Sequence, residues 1–543
     1  MTKHINNLVP RDSAQVTGQY QSDYSVGDDN IQIWGMDIHN PVFFVSASLI
    51  VLFVMAVIQF PVEANEILSA ARAWCLTTFD DFMIISVNAI LIFCLSLTVL
   101  PVSRVRLGGP DAKPEFSRLS WFAMLFAAGM GIGLMFWGVA EPMTYFIGAG
   151  GTPLGVTPQS PEAADLAMAA TMYHWGFHAW AVYAVIGLAL AFFSFNCKLP
   201  LTLRSAFYPL LGERCWGWPG HLIDIFAVLA TIFGLATSLG LGASQVNAGL
   251  AMLFGVDEAL NTKFSIIIFV TFIAILSVVR GLEGGVKILS NFNMALAAAL
   301  LVFIAFVGGN IGVVRAIADT AGNYLGNILP LSNWVGRTDE QWMQDWTVFY
   351  WAWWVSWSPF VGMFIARVSK GRTVREFLVA VMLVPTLVTL LWMSVFGMNA
   401  LHQAQNGIGS LAGGMSSISL ATFQMLESLP FSELTTLVGV VLVLVFFVTS
   451  SDSGSLVIDG ITAGGKHDAP VPQRIFWASM EGLLAAALLY GGGREALAAL
   501  QAGTVAAGIP FMLVLLLVCY SIYKGLNANL REQNYLSPAL RGQ

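Results

Sequence analysis

Charged side chains are scarce in this 543-residue chain: Asp, Glu, Lys and Arg together make up 10% of it, whereas hydrophobic residues make up 57%. An average soluble domain carries about 25% charged residues, so this composition excludes a soluble enzyme. A net charge of −7 leaves no basic field for binding nucleic acid. The five cysteines are scattered without a CxxC pair, and they therefore predict neither a disulfide framework nor a thiolate metal site.

Long apolar runs are what the chain has instead. A bilayer core about 30 Å thick takes roughly 20 apolar residues per helix. Such segments, bounded by polar or Gly/Pro clusters, lie at about 42–60, 82–102, 119–147, 165–195, 219–254, 262–280, 288–312, 346–366, 377–400, 433–457, 475–491 and 497–523. The pattern predicts an all-α polytopic membrane protein with twelve transmembrane helices.

The distribution of positive charge predicts the orientation of these spans. With the N-terminus in the cytoplasm, 20 of the 25 Lys and Arg residues fall in cytoplasmic segments and five fall in external ones. Because Lys and Arg are enriched in the cytoplasmic loops of membrane proteins, this split supports both the span count and the orientation. We expect a multi-pass protein of the bacterial cytoplasmic (inner) membrane with both termini in the cytoplasm.

Two spans are irregular. The third contains the run Gly129-Met130-Gly131-Ile132-Gly133, and the eighth contains a proline, which cannot donate a helical hydrogen bond. Taken alone, the glycine run is equally consistent with a seam of close helix packing, and the proline is equally consistent with an ordinary helix kink. However, the third and eighth spans are the first members of two successive groups of five spans, 3 to 7 and 8 to 12. Because five is an odd number, the second group crosses the membrane in the opposite orientation to the first. Paired broken helices in inverted repeats are typical of transporters. We therefore predict that the backbone of Gly129, Met130, Gly131 and Gly133 forms a substrate gate.

Aromatic residues are concentrated on the fourth and eighth spans. They are Trp175, Trp180, Tyr183, Trp351, Trp353, Trp354 and Trp357. One interpretation is plain core packing. The interpretation that we favour is an aromatic cage, because indole faces attract a methylated ammonium or sulfonium group by about 2 kcal/mol or more each when desolvated. Such a cage needs no buried carboxylate, and neither aromatic stretch contains one.

Hydroxyl side chains cluster in the tenth span, in the run Phe446 to Ser453. Together with carbonyls freed by the break in the third span, they would form a nearly neutral oxygen shell that suits a small hard cation such as sodium. Consecutive Ser and Thr residues in a membrane helix more often bond back to their own i−4 carbonyls, and from the residues alone that alternative is favoured.

Four further side chains in or near the spans are ionisable. His174 and His178 lie one helical turn apart, which is a metal-ligand spacing, but the sequence offers no third ligand and helix packing is the favoured interpretation. Glu141 and Asp452 are functional candidates because acids within membrane spans are costly. A structural role at the end of a broken helix is equally consistent with the position of Glu141.

From about residue 40 to residue 523 the sequence resembles the betaine/choline/carnitine transporter (BCCT) family. The resemblance rests on Gly129 to Gly133 with Ala140-Glu141-Pro142, on the run His174 to Tyr183, and on the tryptophan-rich string Trp351 to Gly362 with Arg367 to Arg372 behind it. It implies a LeuT-like core of two inverted five-helix repeats, usually in homotrimers, that moves methylated-onium osmolytes across the bilayer by alternating access.

On this resemblance the chain divides into six parts. They are a cytoplasmic N-terminal tail (1–40), two leading transmembrane helices with their loop (41–118), a first inverted repeat (119–312), an interfacial periplasmic helix (313–345), a second inverted repeat (346–523) and a short cytoplasmic tail (524–543). The periplasmic part carries Trp334, Trp342 and Trp346, which predict an aromatic belt at the membrane interface.

The resemblance also implies site residues. The substrate cage would consist of Trp175, Trp180, Tyr183 and Trp354, with Trp353 and Trp357 beside them on the permeation path. A co-transported sodium ion would bind backbone oxygens of Ala127, Met130 and Phe446 and the hydroxyls of Thr449 and Ser450. A second sodium site of some relatives uses two hydroxyls a turn apart on the fifth span. Here Thr231 offers one, but Leu235 replaces the other, which puts a two-sodium stoichiometry in question.

One position bears on the substrate. Proton-coupled choline carriers of the family tend to have an aspartate where this chain has Gly133, so the glycine favours a zwitterion such as glycine betaine or dimethylsulfoniopropionate. Sodium-independent antiporters place an arginine on the fifth span, and the run 225–247 contains none. The hypothesis is a sodium-coupled osmolyte importer. The alternatives are proton-coupled choline uptake, an intramembrane enzyme, for which the sequence offers no convergent catalytic groups, and a channel.

Overall fold

The computed structural model describes residues 20, 22–129, 131–280, 286–308, 312–466, 469–493 and 496–541. Its longer helices are α1 Val42–Gln59, α2 Pro61–Thr78, α3 Asp80–Val99, α4 Arg118–Gly129, α5 Ile132–Ile147, α6 Pro161–Trp175, α7 Phe177–Phe195, α8 Trp218–Phe254, α9 Leu260–Arg280, α10 Val286–Val307, α11 Val313–Ser332, α12 Phe349–Val368, α13 Val374–Gln405, α14 Ser432–Thr462, α15 Val471–Gly492 and α16 Ala496–Arg541. Shorter helices are Tyr208–Leu211, Glu340–Trp342 and Ala421–Glu427, and a two-stranded antiparallel hairpin pairs β1 (Asn30–Ile33) with β2 (Met36–His39).

Ten helical segments among the described residues are long and apolar enough to cross a membrane, with α6 and α7 counted as one. The third predicted span is divided into the shorter helices α4 and α5. The eighth corresponds to α12, whose tryptophans lower its mean hydropathy because the indole N–H is polar. The structure therefore establishes a predominantly helical, multi-span membrane protein.

Helix α12 lies at the centre of the structure. It packs against α7, α8 and α16, while α8 in turn packs along α14. Nearly every residue of α12 between Phe349 and Pro359 is buried. A tryptophan-rich helix is therefore enclosed by other helices, and its side chains meet protein on all sides.

Two helices are interrupted next to α12. Between α4 and α5 the chain becomes extended at Gly131 (φ −168°, ψ −175°), as the alternating glycines of the third span predict. The break expected in the eighth span is wrong: α12 runs unbroken through Pro359, because the Ser358 hydroxyl donates to the Val355 carbonyl (2.7 Å) that the proline leaves without its N–H partner. The second interruption, which sequence reasoning missed, lies in the fourth span at Gly176 (φ −99°, ψ −137°) and separates α6 from α7. Helix ends leave backbone N–H and C=O groups without intrahelical partners, so both breaks supply polar groups for contacts with neighbouring helices.

The predicted interfacial tryptophan belt is wrong for two of its three members. Trp342 is 1% exposed and Trp346 is 9% exposed, and both pack edge-on against Tyr145 of α5, with ring centroids 5.1 and 5.0 Å apart. Only Trp334, which is 37% exposed, has the character of an interfacial side chain. The tryptophans before α12 are buried because they extend the aromatic core of that helix.

Helix α2 was also missed by sequence reasoning. It carries Glu63, Glu66 and Arg72, so its composition resembles that of a loop between the first two spans. In the structure α2 packs along α16, and Arg72 forms a 3.1 Å ion pair with Asp345. Tertiary packing thus stabilises a helix that the polar sequence alone does not indicate.

Part of the predicted N-terminal tail is folded. The β1–β2 hairpin docks on the helical domain, where Asn30 donates a hydrogen bond to the carbonyl of Ala463 (3.0 Å) and Asp37 pairs with Lys466. His39 at the end of β2 accepts a hydrogen bond from the buried Arg204 guanidinium (2.9 Å). The hairpin therefore joins the segment before α8 to the segment after α14.

The docking of the hairpin should depend on pH. His39 is buried and faces Arg204, His221 and, at 3.5 Å, Asp29; burial and then the Arg204 and His221 charges lower the pKa of His39 to about 3. Undocked, the imidazole binds a proton below about pH 6.5, whereas docked it stays neutral. Docking should therefore weaken by about 1.4 kcal/mol per pH unit below pH 6.5, or about 2 kcal/mol at pH 5.

Hydrogen exchange of the β1–β2 amides, corrected for intrinsic exchange rates, measures this effect. Protection should be constant above pH 7 and fall between pH 6.5 and pH 5. His39→Gln keeps an acceptor for Arg204 but has no proton to gain, so its protection should depend on pH much less than that of the wild type. Equal protection of the wild-type hairpin at pH 7.5 and pH 5 would contradict the prediction.

Candidate functional site

A cavity lies where the breaks in the third and fourth spans face α12. All six aromatic side chains predicted for the substrate path line it, together with Gly131 and Gly133 of the predicted gate. The remaining lining residues are Ile132, Leu134, Ala179, Ser238, Val361 and Thr389. The structure therefore brings together the residues of the third, fourth and eighth spans that sequence reasoning singled out.

The rings present faces in several directions. Trp354 stands at 73° to Trp175, with ring centroids 4.7 Å apart, and at 76° to Tyr183, with centroids 6.1 Å apart. Trp180 packs edge-on against Tyr183 at 5.3 Å, and Trp353 stacks on Trp354 at 5.0 Å and 10°. Rings at steep angles to one another that line the same cavity are compatible with cation–π recognition of an onium group.

Trp351, the seventh aromatic residue, belongs to the core instead. It is fully buried and contacts Tyr173 and the two histidines of the fourth span, with centroids 5.1 to 5.8 Å away. It does not line the cavity described above. The packing interpretation is therefore right for this one tryptophan, whose ring contacts differ from those of Trp354.

Backbone carbonyls hold two of the indoles. Trp354 donates its Nε1 hydrogen to the carbonyl of His174 (2.7 Å), which is released from the helical pattern because α6 ends at Trp175. Trp357 donates to the carbonyl of Gly234 in α8 (2.9 Å). A buried indole N–H needs an acceptor, so these bonds fix both ring planes.

A buried carboxylate lies directly behind the cage. Glu141 of α5 is fully buried; its Oε2 accepts hydrogen bonds from Trp175 Nε1 (2.7 Å) and the Tyr350 hydroxyl (2.5 Å). Its Oε1 contacts His174 Nδ1 (2.8 Å) and the Tyr145 hydroxyl (3.0 Å). The expectation of a cage without a carboxylate is therefore wrong in one respect: the acid comes from the third span and contacts the cage through the Trp175 N–H.

This network accounts for His174 as well. Its Nε2 lies 2.9 Å from the Thr347 hydroxyl, so both ring nitrogens have partners, as the packing interpretation predicts. Sequence reasoning missed Tyr350 and Thr347. The signal for Tyr350 was its position one turn before Trp354 on α12, because residues four apart share a helix face.

The fit around Gly133 is tight. A Cβ atom at this position would lie 2.6 Å from Trp175 Cη2 and 3.5 Å from Trp353 Cη2. Any side chain at residue 133 would therefore displace the ring that Glu141 holds. The close approach gives a physical reason for glycine here that is independent of the resemblance.

The residues predicted to bind sodium have the following surroundings. The Thr449 hydroxyl donates to the carbonyls of Val445 (3.0 Å) and Phe446 (3.2 Å), so the back-bonding that the residue type favours is confirmed for this threonine. Ser450 is half-buried, and Ala127 in α4 is exposed. Met130 lies outside the described residues. A hydroxyl that donates to a carbonyl keeps lone pairs for a cation, and the sodium site stays a prediction.

The second intramembrane acid, Asp452, is buried in α14 and accepts a hydrogen bond from Ser277 (3.3 Å). Ser451, its neighbour, donates to the buried Glu481 of α15 (2.9 Å). These contacts tie α14 to α9 and α15. The contact with Ser277 gives Asp452 a structural role in the packing of α14 against α9.

Broken helices around an aromatic cavity in a multi-span helical protein define the class of membrane transporters that bind substrate between discontinuous helices. Comparison with known proteins gives the same class. Residues 41–531 match the family model described as BCCT, betaine/carnitine/choline family transporter.

Individual relatives match over nearly the whole chain. A glycine betaine/proline/choline/ectoine transporter of Vibrio parahaemolyticus is 58% identical over 511 residues, covering 94% of this chain and 91% of the relative. Glycine betaine transporter 1 of the same species is 57% identical, covering 93% and 97%. The glycine betaine transporter OpuD of Bacillus subtilis is 40% identical, covering 90% and 95%. The chain belongs to the BCCT family, and it is a transporter and not an enzyme.

Loss of the Trp354 π face should lower substrate affinity. Trp354→Leu keeps apolar volume but removes a contribution of about 2 kcal/mol, so the dissociation constant for an onium substrate should rise about 30-fold. Trp351→Leu is the matched control, since it removes a buried indole of the same helix that does not line the cavity. Ligand binding to the purified, folded variants separates the two. Equal affinity losses in both variants would indicate core packing alone.

Crowding at Gly133 should act through Trp175. Gly133→Ala should raise the dissociation constant of the substrate at least tenfold. The added methyl group displaces the Trp175 indole, and the indole then loses about 1.4 kcal/mol of its interaction with the substrate. In a Trp175→Phe background, where the smaller ring leaves room, the same alanine should cost much less. A double-mutant cycle of binding measures this coupling. Additive effects of the two substitutions would show that the methyl group does not act on the indole.

Proposed function

We propose that this transporter imports glycine betaine or a similar methylated-onium zwitterion, such as dimethylsulfoniopropionate, by sodium symport with alternating access. The observation that carries the proposal is the set of differently oriented π faces of Trp175, Tyr183 and Trp354 around one cavity. Among the described residues that line this cavity, none is charged. A substrate with a diffuse positive group is the ligand that such a lining favours.

The backbone part of the cavity lining suits a carboxylate. Gly131, Ile132 and Gly133 line it, and they lie at the N-terminus of α5. The first N–H groups of a helix lack intrahelical acceptors and carry partial positive charge, so they attract an anionic group. A zwitterion therefore finds π faces for its onium group and a helix N-terminus for its carboxylate. The printed names of the three relatives above, which all include glycine betaine, support this choice.

Sodium coupling is proposed on the chemistry of the tenth span and on the resemblance. Neutral oxygens of Ala127, Met130, Phe446, Thr449 and Ser450 would bind the ion between α4 and α14. An ion at this position would favour the broken conformation of the third span that the substrate needs. Each ligand would then raise the affinity of the other, which is the reciprocal coupling that symport requires.

We further propose the finer architecture that the resemblance implies. The twelve spans would form two leading helices and a LeuT-like core of two inverted five-helix repeats. Both termini would face the cytoplasm of a bacterial cell, and three copies would form a homotrimer in the inner membrane. The amphipathic α11, with Val314 and Leu329 strongly exposed, is available for contacts with lipid or with another copy.

Uptake of labelled glycine betaine into proteoliposomes tests the proposal. We expect saturable accumulation above the external concentration with an inward sodium gradient, and little uptake when potassium replaces sodium. Thr449→Val with Ser450→Ala should raise the sodium concentration for half-maximal uptake, because two proposed oxygen ligands are removed. Equal accumulation without sodium would overturn the coupling.

Proton-coupled choline uptake is the second candidate, since the printed names of two relatives include choline. The same proteoliposomes distinguish it by a proton gradient without sodium and by competition between choline and betaine. Choline has no carboxylate for the α5 N-terminus, so we expect it to compete more weakly than betaine. Choline accumulation driven by protons alone would favour the second candidate.

A further inference from the structure

The Glu141 carboxylate joins three helices at the back of the cage. It belongs to α5, while its partners His174 and Trp175 come from α6 and Tyr350 from α12. The four contacts on its two oxygens measure 2.5 to 3.0 Å. An ionised carboxylate only accepts hydrogen bonds and offers about four lone-pair sites, so its capacity matches the number of partners.

We propose that Glu141 is a positioning and specificity-determining residue of the substrate site. It fixes the Trp175 indole through Nε1 and, through His174, the carbonyl to which Trp354 is bonded. It also places a fixed negative charge behind the ring that faces the cavity. The inference rests on the proposed function, and it adds that the cage distinguishes a cationic onium group from a neutral group of the same shape through this charge.

The charge acts through the indole for a simple reason. A carboxylate on the Nε1 hydrogen polarises the ring and makes its face more negative, and hydrogen bonds to charged groups are the strong ones. The site is closed, with Trp175 7% exposed and Glu141 0% exposed, so water screens the charge poorly. An onium group on the cavity side of Trp175 is therefore stabilised, whereas a neutral tert-butyl group is not.

The substitution Glu141→Gln separates charge from geometry. A glutamine oxygen can accept from Trp175, which has only a donor, and from Tyr350. Its amide hydrogens can point to the Tyr145 hydroxyl and to His174 Nδ1, both of which can accept in the appropriate tautomer. The ring positions are thus retained while the negative charge is lost.

The effect of the Glu141 charge is measured by comparing two ligands of the same shape. They are glycine betaine and 3,3-dimethylbutanoate, in which carbon replaces the ammonium nitrogen. Inhibition constants for both are measured against labelled betaine binding to purified wild-type and variant protein. In Glu141→Gln we expect betaine to bind roughly tenfold more weakly, while the isostere changes by less than about twofold. A parallel loss for both ligands, or no change for either, would overturn the charge role.

Two further variants complete the test. Glu141→Asp keeps the charge but shortens the side chain, so both ligands should weaken together while their ratio stays near the wild-type value; unchanged affinities would contradict the positioning role. If Glu141→Gln does not fold, a shifted ratio in Glu141→Asp would overturn the charge role. Glu481→Gln, which removes another fully buried glutamate, should leave the ratio unchanged. Failure of wild-type protein to bind betaine would instead reject the proposed function.

Discussion

A carboxylate enclosed by apolar helices costs several kcal/mol of desolvation unless hydrogen-bond donors replace its water. Glu141 meets this condition with donors from its own helix and from two others. The donors reach it only when α5, α6 and α12 have the correct relative positions. The same positions place Trp175 and Trp354 at the cavity. The shape of the aromatic cavity is therefore a consequence of how one buried charge is satisfied.

The breaks at Gly131 and Gly176 supply the other half of the site. In a regular helix the backbone N–H and C=O groups bond to each other, whereas these two breaks leave carbonyls and N–H groups without intrahelical partners beside the cavity. The His174 carbonyl orients Trp354, and the N-terminus of α5 lines the cavity next to Trp175 and Trp353. Indole faces, backbone dipoles and neutral oxygens would then bind the proposed substrate and ion without charged residues in the lining. This arrangement is consistent with the low charge content of the chain.

Much of the fold was predictable, because a membrane span needs a long apolar run and helix is present within each of the twelve predicted segments. The lining residues were predictable because aromatic residues on the fourth and eighth spans have no interfacial role. The residues that each of these side chains contacts were not predictable from the sequence. Trp351 and Trp354 are close neighbours in sequence, yet only their contacts show that the first packs in the core. Glu141 lies more than 30 residues before Trp175, and only tertiary structure brings the two together.

The central claim is that π faces around this cavity bind the methyl groups of an onium ion. The most direct test is equilibrium binding of glycine betaine, dimethylglycine, sarcosine and glycine to the purified protein in saturating sodium. Each methyl group lost along this series exchanges a C–H surface that fits the cage for an N–H that water solvates better. Affinity should therefore fall stepwise from glycine betaine to glycine. Equal affinity for glycine and glycine betaine would contradict it.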